Sequence, residues 1–403
     1  MEIRQEIPLK LKLIRFKNSN FFSFIDKIIY FIKPPKKFKG VPEKILFFRN
    51  DRIGDAVCTL PVLRDLKLNY PDLRIHLICS VKNKFVFENL EYIDKLIVFN
   101  PDNWNEENLP SVFKIPILGK LLQFIFHFFI PYLFDSGFKE VINNFKNEKY
   151  DAVIDLIGRR RIAIMGKMIS RFTVGSRLFG LSWMYSYYMK TNWVSPLDDD
   201  FMSRKIQGVL EDSLNFDFVK KNESLPYFKT AQSLDKKTDI FIHLGTGTIR
   251  RFTVDKEMKI IEQFKNFRVI ITDGYETENF KQLKRFFFNT SNIEFKLYKN
   301  LLEIVPDILS SRLMLSYDGG QTHFLSQFIP SVVIFGPGSA GLWKPYEFKN
   351  YNIVKEWEND LRIIESEGAH KHCVIYKKIW CSPCFDAGCK ERPCLAAVTP
   401  EII

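Results

Sequence analysis

Residues 44–55 read KILFFRNDRIGD, a short apolar run followed by a loop that contains a glycine. The next residues, 56–69, have the pattern of a helix, which Pro71 ends. Further short apolar runs at 74–79, 95–99 and 152–156 are typical of buried strands. A chain that alternates strand, loop and helix predicts a parallel, doubly wound sheet, because parallel neighbours are joined by crossover helices.

The second half of the chain begins the same alternation again. Strand patterns at 240–244, 267–272, 313–317 and 332–335 lead into polar or glycine-containing turns. The polar, irregular stretch 222–237 between the halves suits an interdomain linker. We therefore expect an α/β protein with two Rossmann-like doubly wound domains that face a central cleft.

The composition is that of a globular protein of about two domains. Of the 403 residues, 46% are hydrophobic and 26% are charged. No stretch reaches the roughly 20 uninterrupted apolar residues of a spanning helix, and the N-terminus lacks the order of a signal peptide. Five of the seven cysteines crowd into 373–394, which is unlike a secreted disulfide framework. These features predict a cytoplasmic protein.

The net charge of +12 favours anionic partners. No nucleic-acid-binding signature accompanies the basic residues, so lipid or phosphorylated substrates are the better expectation and nucleic acid is not expected as a partner. The alternative is that many lysines simply solvate the surface.

Two segments combine apolar and basic residues. Residues 1–40 carry an apolar and basic stretch at 9–32 that the sequence PPKKFK then breaks, and residues 101–140 carry a very apolar but interrupted stretch at 111–134. A basic amphipathic helix is typical of a membrane-surface anchor. The alternatives are an extra helix packed on the domain for the first segment and a buried helix for the second.

Three glycine-containing turns, at 245–248, 318–320 and 336–338, each follow a strand pattern. Glycine lets backbone N–H groups approach a phosphate closely, and a following helix N-terminus adds positive potential. Arg250 and Arg251 lie beside the first turn. Together they indicate a diphosphate site. The alternative is that these glycines only form ordinary turns.

Asp55 lies where the first strand leads into a helix. Ligands of open sheets bind beyond the carboxyl ends of the strands. A carboxylate there can accept a proton from a sugar hydroxyl. By position alone, a helix-capping aspartate is the alternative.

The cysteines near the C-terminus have the spacing Cys381-x2-Cys384-x4-Cys389-x4-Cys394. Four thiolates can hold zinc or iron in a tetrahedral structural site. The alternatives are reduced thiols or labile disulfides, because only the first spacing is that of a standard zinc knuckle.

In their order along the chain, these motifs resemble those of the lipopolysaccharide heptosyltransferases, glycosyltransferase family 9. The resemblance extends from about residue 44 to 403 and rests on the following stretches: RNDRIGD (49–55) with TLPVLR (59–64), YDAVIDL (150–156), HLGT (243–246) with RRFT (250–253), DGGQTH (318–323), FGPG (335–338), CSPC (381–384) and VTPE (398–401). Phe252-Thr253 stands where the family usually has Trp-Pro.

The resemblance implies a GT-B architecture and an inverting transfer that requires no metal cofactor. The usual reaction moves heptose from an ADP-linked donor to a lipopolysaccharide or other lipid-linked acceptor. On matching positions, Asp55 becomes the general base and Arg250 neutralises the leaving diphosphate, although Arg251 competes for that role. The other donor-binding residues that the resemblance and the turns imply are Gly54, Thr246, Gly247, Arg251, Glu276, Asp318, Gly319, Gly320 and His323.

The predicted organisation has four parts: an N-terminal extension at 1–40, an acceptor domain at 41–225 with an apolar insertion at 101–140, a nucleotide-sugar domain at 226–372, and a cysteine-rich segment at 373–403. The predicted location is cytoplasmic, peripheral on the inner face of the cytoplasmic membrane. One alternative is the same fold acting on a different sugar or a protein acceptor. Another is a membrane-docked nucleotide-binding protein without catalysis.

Overall fold

The structure is a computed structural model of the whole chain. It describes residues 32–99, 136–175, 185–188, 202–219, 235–246, 250–345, 351–357, 361–366, 370–377, 379, 384, 389 and 391–403. Most of the predicted N-terminal extension and of the apolar insertion therefore lies outside the described residues, and their membrane-surface role stays a prediction.

The chain divides into two compact units. The first comprises the described residues within Met1–Asp51, Leu63–Trp193 and Ile206–Lys221. The second comprises those within Arg52–Val62, Val194–Lys205 and Asn222–Ile403.

The first unit contains a six-stranded parallel sheet. Its strands are β1 (Lys44–Phe48), β2 (Arg74–Cys79), β3 (Lys95–Val98), β4 (Ala152–Asp155), β5 (Thr173–Gly175) and β6 (Tyr187–Tyr188). Their spatial order is β3-β2-β1-β4-β5-β6, which is the Rossmann order with its reversal between β1 and β4. Every residue of the central strand β1 is buried, as expected for a strand covered on both faces.

The second unit contains an eight-stranded sheet. Its strands are β7 (Thr238–His243), β8 (Val269–Thr272), β9 (Ile293–Lys296), β10 (Ser311–Tyr317), β11 (Ser331–Phe335), β12 (Tyr351–Glu356), β13 (Leu361–Ser366) and β14 (His372–Lys377). The order is β12-β13-β14-β11-β10-β7-β8-β9. Neighbours from β14 through to β9 are parallel, whereas β13 is antiparallel to both β12 and β14.

Helices connect these strands and cover the sheets. They are α1 (Ile53–Asn69), α2 (Lys84–Phe87), α3 (Ser136–Asn147), α4 (Arg160–Ile169), α5 (Met202–Leu214), α6 (Val254–Gln263), α7 (Glu278–Phe286), α8 (Val305–Leu309), α9 (Gly320–Leu325), α10 (Ala340–Trp343) and α11 (Pro393–Ala396). Short 3-10 turns lie at Leu301–Ile304 and Pro400–Ile402. Within the described part of the chain, no helix is both long and apolar enough to cross a membrane.

The predicted strands are found, and Arg74–Cys79 has the predicted bounds. Two expectations need correction. Helix α1 begins at Ile53, three residues before the predicted start. The predicted boundary between 372 and 373 falls inside β14, where Cys373 pairs with Val332 of β11. The strands β12 to β14 were not predicted because charged residues such as Lys355, Arg362 and Glu365 interrupt the apolar pattern.

Candidate functional site

Three sequence-distant turns of the second unit meet at one edge of its sheet. They follow β7, β10 and β11, which are adjacent parallel strands, so their carboxyl ends lie side by side. Thr246 after β7 donates a hydrogen bond from Oγ1 to the backbone oxygen of Asp318 after β10, at 2.7 Å. The structure thus brings together the glycine turns that the sequence marked separately.

Asp318 and Arg250 form an ion pair at this edge. Arg250 Nη1 lies 3.2 Å from Asp318 Oδ2, and the exposed fractions of the two side chains are 28% and 3%. Burial raises the pKa of Asp318, and the nearby charge of Arg250 opposes that shift. A Cβ at Gly338 would overlap Asp318 Oδ2, so a larger residue in the third turn would require the Asp318 carboxylate to shift.

Asp318 Oδ2 accepts no hydrogen bond from the part of the chain that the structure describes, although Arg250 lies within ion-pair distance. A guanidinium held this loosely, and partly open to solvent, can turn towards an anion without leaving its carboxylate. An arginine fork suits a diphosphate because its N–H groups match two phosphate oxygens.

Arg251, the next residue, is arranged quite differently. Its Nε and Nη2 donate to the two carboxylate oxygens of Glu257 at 2.6 and 2.9 Å, and its Nη1 donates to Asp273 Oδ2 at 2.6 Å. Tyr317 also donates to Glu257 Oε1, at 2.9 Å. All four side chains are buried. Arg251 therefore anchors the turn with its guanidinium already engaged, and Arg250 is the better placed of the two to meet a ligand.

The acidic partners of Arg251 were missed by the sequence reading. Glu257 lies on an amphipathic helix and Asp273 at the end of β8, and nothing local marks either as paired with an arginine. Asp273 also organises its own turn, because Oδ1 accepts from the backbone N–H of Gly274 at 2.7 Å and Oδ2 accepts from Thr277 Oγ1 at 2.9 Å. The same turn presents Glu276, an exposed side chain whose Oε2 lies 4.0 Å from Lys281 Nζ.

Gly319, Gly320 and His323 belong to the start of α9. Gly319 precedes the helix and Gly320 is its first residue, as expected for a turn that points backbone N–H groups outward. His323 is buried on α9, and its ring meets that of Trp343 edge-on at 5.9 Å. Burial, followed by the charge of Arg250, lowers the pKa of His323 to about 4. The imidazole is therefore neutral at pH 7.

The turn after β7 is packed tightly against its surroundings. A Cβ at Gly245 would lie 2.7 Å from His243 Cε1 and 2.9 Å from the backbone N of Gly274, so no larger residue fits without a shift. Burial also lowers the pKa of His243 to about 4. Gly247, which was predicted to bind donor, lies outside the described residues.

Asp55 lies in the first turn of α1, whose residues Arg52–Val62 group with the second unit. It is half-buried, and Thr59 Oγ1 donates to its backbone oxygen at 2.8 Å. Because α1 begins at Ile53, Asp55 lies inside the first turn and not at the residue that precedes the helix. A carboxylate in a first turn is stabilised as the anion by the helix N-terminus.

Gly54, beside Asp55, packs against the start of α9 within the second unit. A Cβ at Gly54 would lie 3.0 Å from Gly320 Cα and 2.9 Å from His323 Cδ2. Glycine at both positions is therefore what allows this close backbone approach. The contact brings the turn that bears Asp55 to the helix that bears His323.

The first unit has a buried polar cluster at the carboxyl ends of β1 and β4. Asp155 Oδ2 accepts from Tyr185 Oη at 2.6 Å, and Oδ1 accepts from the backbone N–H groups of Ile157 and Gly158, each at 2.9 Å. Burial raises the pKa of Asp155 to about 6, against the effect of these donors and of Arg49. The sequence reading placed Asp155 in a strand motif but did not assign it a site.

Three of the four predicted metal-binding cysteines are described. Cys384 and Cys389 are half-buried, Cys394 packs in the apolar core of the second unit, and Cys381 lies outside the described residues. The described residues contain no group of three or more His, Cys, Asp or Glu side chains placed to hold a metal ion. The backbone N–H of Cys384 donates to Pro337 O at 2.9 Å, which ties the segment to the third turn.

Two Rossmann-like sheets, the first parallel and the second mostly parallel, with loops and glycine turns at their carboxyl edges, define the GT-B class of fold, as predicted. Comparison with solved structures gives the same class. The heptosyltransferase II from E. coli, described as an ADP-heptose lps heptosyltransferase, superposes with a TM-score of 0.58 at 12% identity, over 89% of this chain and 96% of that chain.

Two further structures have the same fold. A family 9 glycosyl transferase from Veillonella parvula has a TM-score of 0.57 at 18% identity, over 75% of this chain and 83% of that one. The E. coli heptosyltransferase WaaC with ADP has a TM-score of 0.53 at 15% identity, over 75% and 90%. No protein-family model and no curated protein matches the sequence. The fold predicted from the resemblance to heptosyltransferases is thus confirmed.

Proposed function

We propose that this protein is an inverting glycosyltransferase that moves a heptose from an ADP-heptose-type donor to a lipopolysaccharide or other lipid-linked saccharide. The observation that carries the proposal is the Arg250–Asp318 pair at the edge where three glycine turns meet. A nucleotide diphosphate needs such a combination of backbone N–H groups and a partly accessible arginine.

The donor half of the reaction is assigned to the second unit. Arg250 balances the charge that develops on the diphosphate as the bond from the anomeric carbon to phosphate oxygen breaks. The turn at Asp318, Gly319 and Gly320 contributes backbone N–H groups at the start of α9. Neutral His323 lines this site without adding a second cation, since its pKa is about 4.

The acceptor half is assigned to Asp55. Its carboxylate removes the proton from the acceptor hydroxyl, whose oxygen then attacks the anomeric carbon on the face opposite the leaving diphosphate. One displacement inverts the configuration, and ADP leaves with the bonding electrons. The first turn of α1 favours the anionic form of Asp55 that a base requires. No metal or organic cofactor is assigned a step.

The identity of the donor is the finer part of the proposal. It is supported by the two E. coli heptosyltransferases that share the fold, whose descriptions name ADP and ADP-heptose. The turns recognise the diphosphate more than the sugar, so transfer of a different sugar, or transfer to a protein, is the alternative.

The test is a donor screen that measures release of the nucleoside diphosphate in the presence of lipopolysaccharide acceptor. We expect turnover of ADP-heptose by the wild type and loss of at least about 1,000-fold in the Asp55→Asn variant, with donor affinity retained. Asp72→Asn is the matched control, because Asp72 is exposed in the turn after α1.

The same screen also distinguishes the proposed function from its alternatives. Equal turnover by Asp55→Asn would remove Asp55 as the base. Turnover of another nucleotide sugar in preference to ADP-heptose would replace the donor while keeping the reaction class. Binding of donors without any turnover would favour a nucleotide-binding protein without catalysis.

A peripheral location on the inner face of the cytoplasmic membrane completes the proposal. It is supported by the apolar and basic composition of residues 1–40 and by the net charge of +12. Deleting residues 1–40 is expected to shift the protein off anionic vesicles in a sedimentation assay. Unchanged sedimentation would count against an anchor in that segment.

A structural zinc or iron at Cys381, Cys384, Cys389 and Cys394 also stays a proposal. Thiolates at this spacing are its support. Elemental analysis of the protein purified under reducing conditions tests it, and protein free of bound zinc and iron would contradict it.

A further inference from the structure

The three phenylalanines that are strongly exposed among the described residues lie at one edge of the second unit. The exposed fractions are 48% for Phe267, 57% for Phe286 and 83% for Phe288. Phe267 lies in the turn before β8, and Phe286 and Phe288 lie at the end of α7 before β9. Because β8 and β9 are parallel neighbours paired at Val269 and Ile293, both turns lie at the amino ends of the strands.

The two turns adjoin each other. The backbone N–H of Val269 donates to Asn292 O at 2.8 Å, and Asn292 Nδ2 donates to Lys265 O at 3.5 Å. This edge is opposite to the one that carries the glycine turns, since the latter lie at the carboxyl ends of the strands. The exposed phenylalanines therefore belong to a surface separate from the proposed donor site.

Charge accompanies the aromatic side chains. The turns read FKNFR at 264–268 and KRFFFNTSN at 284–292, which together hold four basic residues and no acidic one. Arg268 is engaged with Asp239 at 3.0 Å. Lys265, Lys284 and Arg285 are exposed. We define the amino-edge patch as Lys265, Phe267, Lys284, Arg285, Phe286 and Phe288.

The patch is built on a firmly bonded turn. Phe287, between the two exposed phenylalanines, is buried in the core at 5% exposure. Its backbone N–H donates to Leu283 O at 3.0 Å, and its carbonyl accepts from Thr290 N at 3.0 Å. Phe286 and Phe288 therefore point outward because Phe287 is anchored, and little ordering is needed before they meet a partner.

We propose that the amino-edge patch docks on the surface of an anionic lipid bilayer. Exposed aromatic rings enter the region between head groups and acyl chains, while lysine and arginine beside them meet the negative surface potential. Charge complementarity favours this occupant over a neutral apolar partner. The inference rests on the proposed peripheral membrane location and adds to it a second docking surface, which is separate from the site of the transfer reaction.

The experiment is a lipid titration of the full chain with vesicles of phosphatidylcholine, with and without phosphatidylglycerol, in the absence of donor and acceptor. We expect Phe286→Ser/Phe288→Ser to weaken binding to the anionic vesicles by about tenfold or more. Lys284→Gln/Arg285→Gln should weaken binding to the anionic vesicles by about fivefold per charge removed. The loss should be smaller at high salt, which screens the attraction. All variants carry the same N-terminal segment. The ratio of the vesicle affinity of each variant to that of the wild type therefore measures the contribution of the amino-edge patch.

The matched control is Ile353→Ser/Val354→Ser, since these side chains are 50% and 55% exposed on β12 of the same unit. An unchanged melting temperature confirms that each variant folds. The proposal is overturned if the phenylalanine variant binds anionic vesicles as tightly as the wild type, which is the result expected if the patch instead binds a protein. It is also overturned if the control loses as much binding. Donor turnover measured on a soluble acceptor should be unaffected, which separates this test from that of the proposed function.

Discussion

Each unit has a buried aspartate at the carboxyl end of a central strand, but the two are held in different ways. Asp155, the last residue of β4, is 2% exposed and accepts hydrogen bonds from Tyr185 and from two backbone N–H groups. Asp318 after β10 is 3% exposed, and its Oδ2 has the Arg250 guanidinium at 3.2 Å. Burial raises the pKa of both carboxyl groups.

The difference shows that position in the fold does not decide what an aspartate does. Donors within the protein satisfy Asp155, which ties its turn in place. Asp318 instead pairs with Arg250, a partly exposed arginine that a bound anion can also contact. The neighbouring arginines repeat the contrast, because Arg251 is enclosed by Glu257 and Asp273 whereas Arg250 is not.

The arginine contrast gives the largest expected effect. Arg251→Met leaves two buried carboxylates without their cation and is expected to lower the free energy of unfolding by about 3–5 kcal/mol. Arg250→Met, the comparison variant, should cost less, about 2 kcal/mol, because it leaves one buried carboxylate instead of two without its cation and burial already raises the pKa of Asp318. Urea denaturation measures both. Similar losses from the two variants would contradict the distinction between an enclosed and an open arginine.

The aspartate contrast comes next in size. Asp155→Ala leaves the buried Tyr185 hydroxyl and two partly buried N–H groups without their acceptor and should cost about 2–3 kcal/mol of stability. Asp318→Ala should cost less, about 1 kcal/mol, since Arg250 can turn to water. The measurement is again chemical denaturation at pH 7. An Asp318 variant that is as unstable as the Asp155 variant would break the comparison.

The dependence of stability on pH tests the raised pKa of Asp155. Its folded pKa of about 6 lies above the ordinary value of 3.8, so between these values the folded chain binds more protons than the unfolded chain. The folded state is therefore favoured as pH falls. Relative to Asp155→Asn, which does not titrate, wild-type stability should rise by about 2 kcal/mol from pH 7 to 4.5. Paired denaturation curves at the two pH values test this, and a constant difference would show that the carboxyl is not shifted.

The smallest effect on stability is expected for Asp318→Asn, at less than about 1 kcal/mol. The effect on function should be larger. Without the carboxylate, Arg250 loses its anchor beside the glycine turns, and nucleoside diphosphate release should slow by about tenfold or more. Steady-state turnover with ADP-heptose measures this. Full activity in the variant would mean that Arg250 is positioned by something other than Asp318.

Much of the architecture could be predicted from local patterns. The apolar runs and glycine turns located the parallel strands β1 to β4, β7, β8, β10 and β11 but not β9, because a strand buried on both faces leaves a continuous apolar signal. The antiparallel strands β12 and β13 went unrecognised, since partly exposed strands with charged residues carry a weaker signal. The order of the motifs along the chain points to Asp55, Arg250 and the 318–320 turn, and their roles stay predictions.

The sequence by itself determined where chain direction changes, which turns need glycine and which residues bring charge to them. The tertiary structure alone decided how those charges are paired. The sequence could not choose between Arg250 and Arg251, because the choice depends on Glu257, Asp273 and Tyr317, which come from other elements. It likewise could not place Phe286 and Phe288 outside and Phe287 inside, because three identical residues in a row differ only in what the fold packs against them.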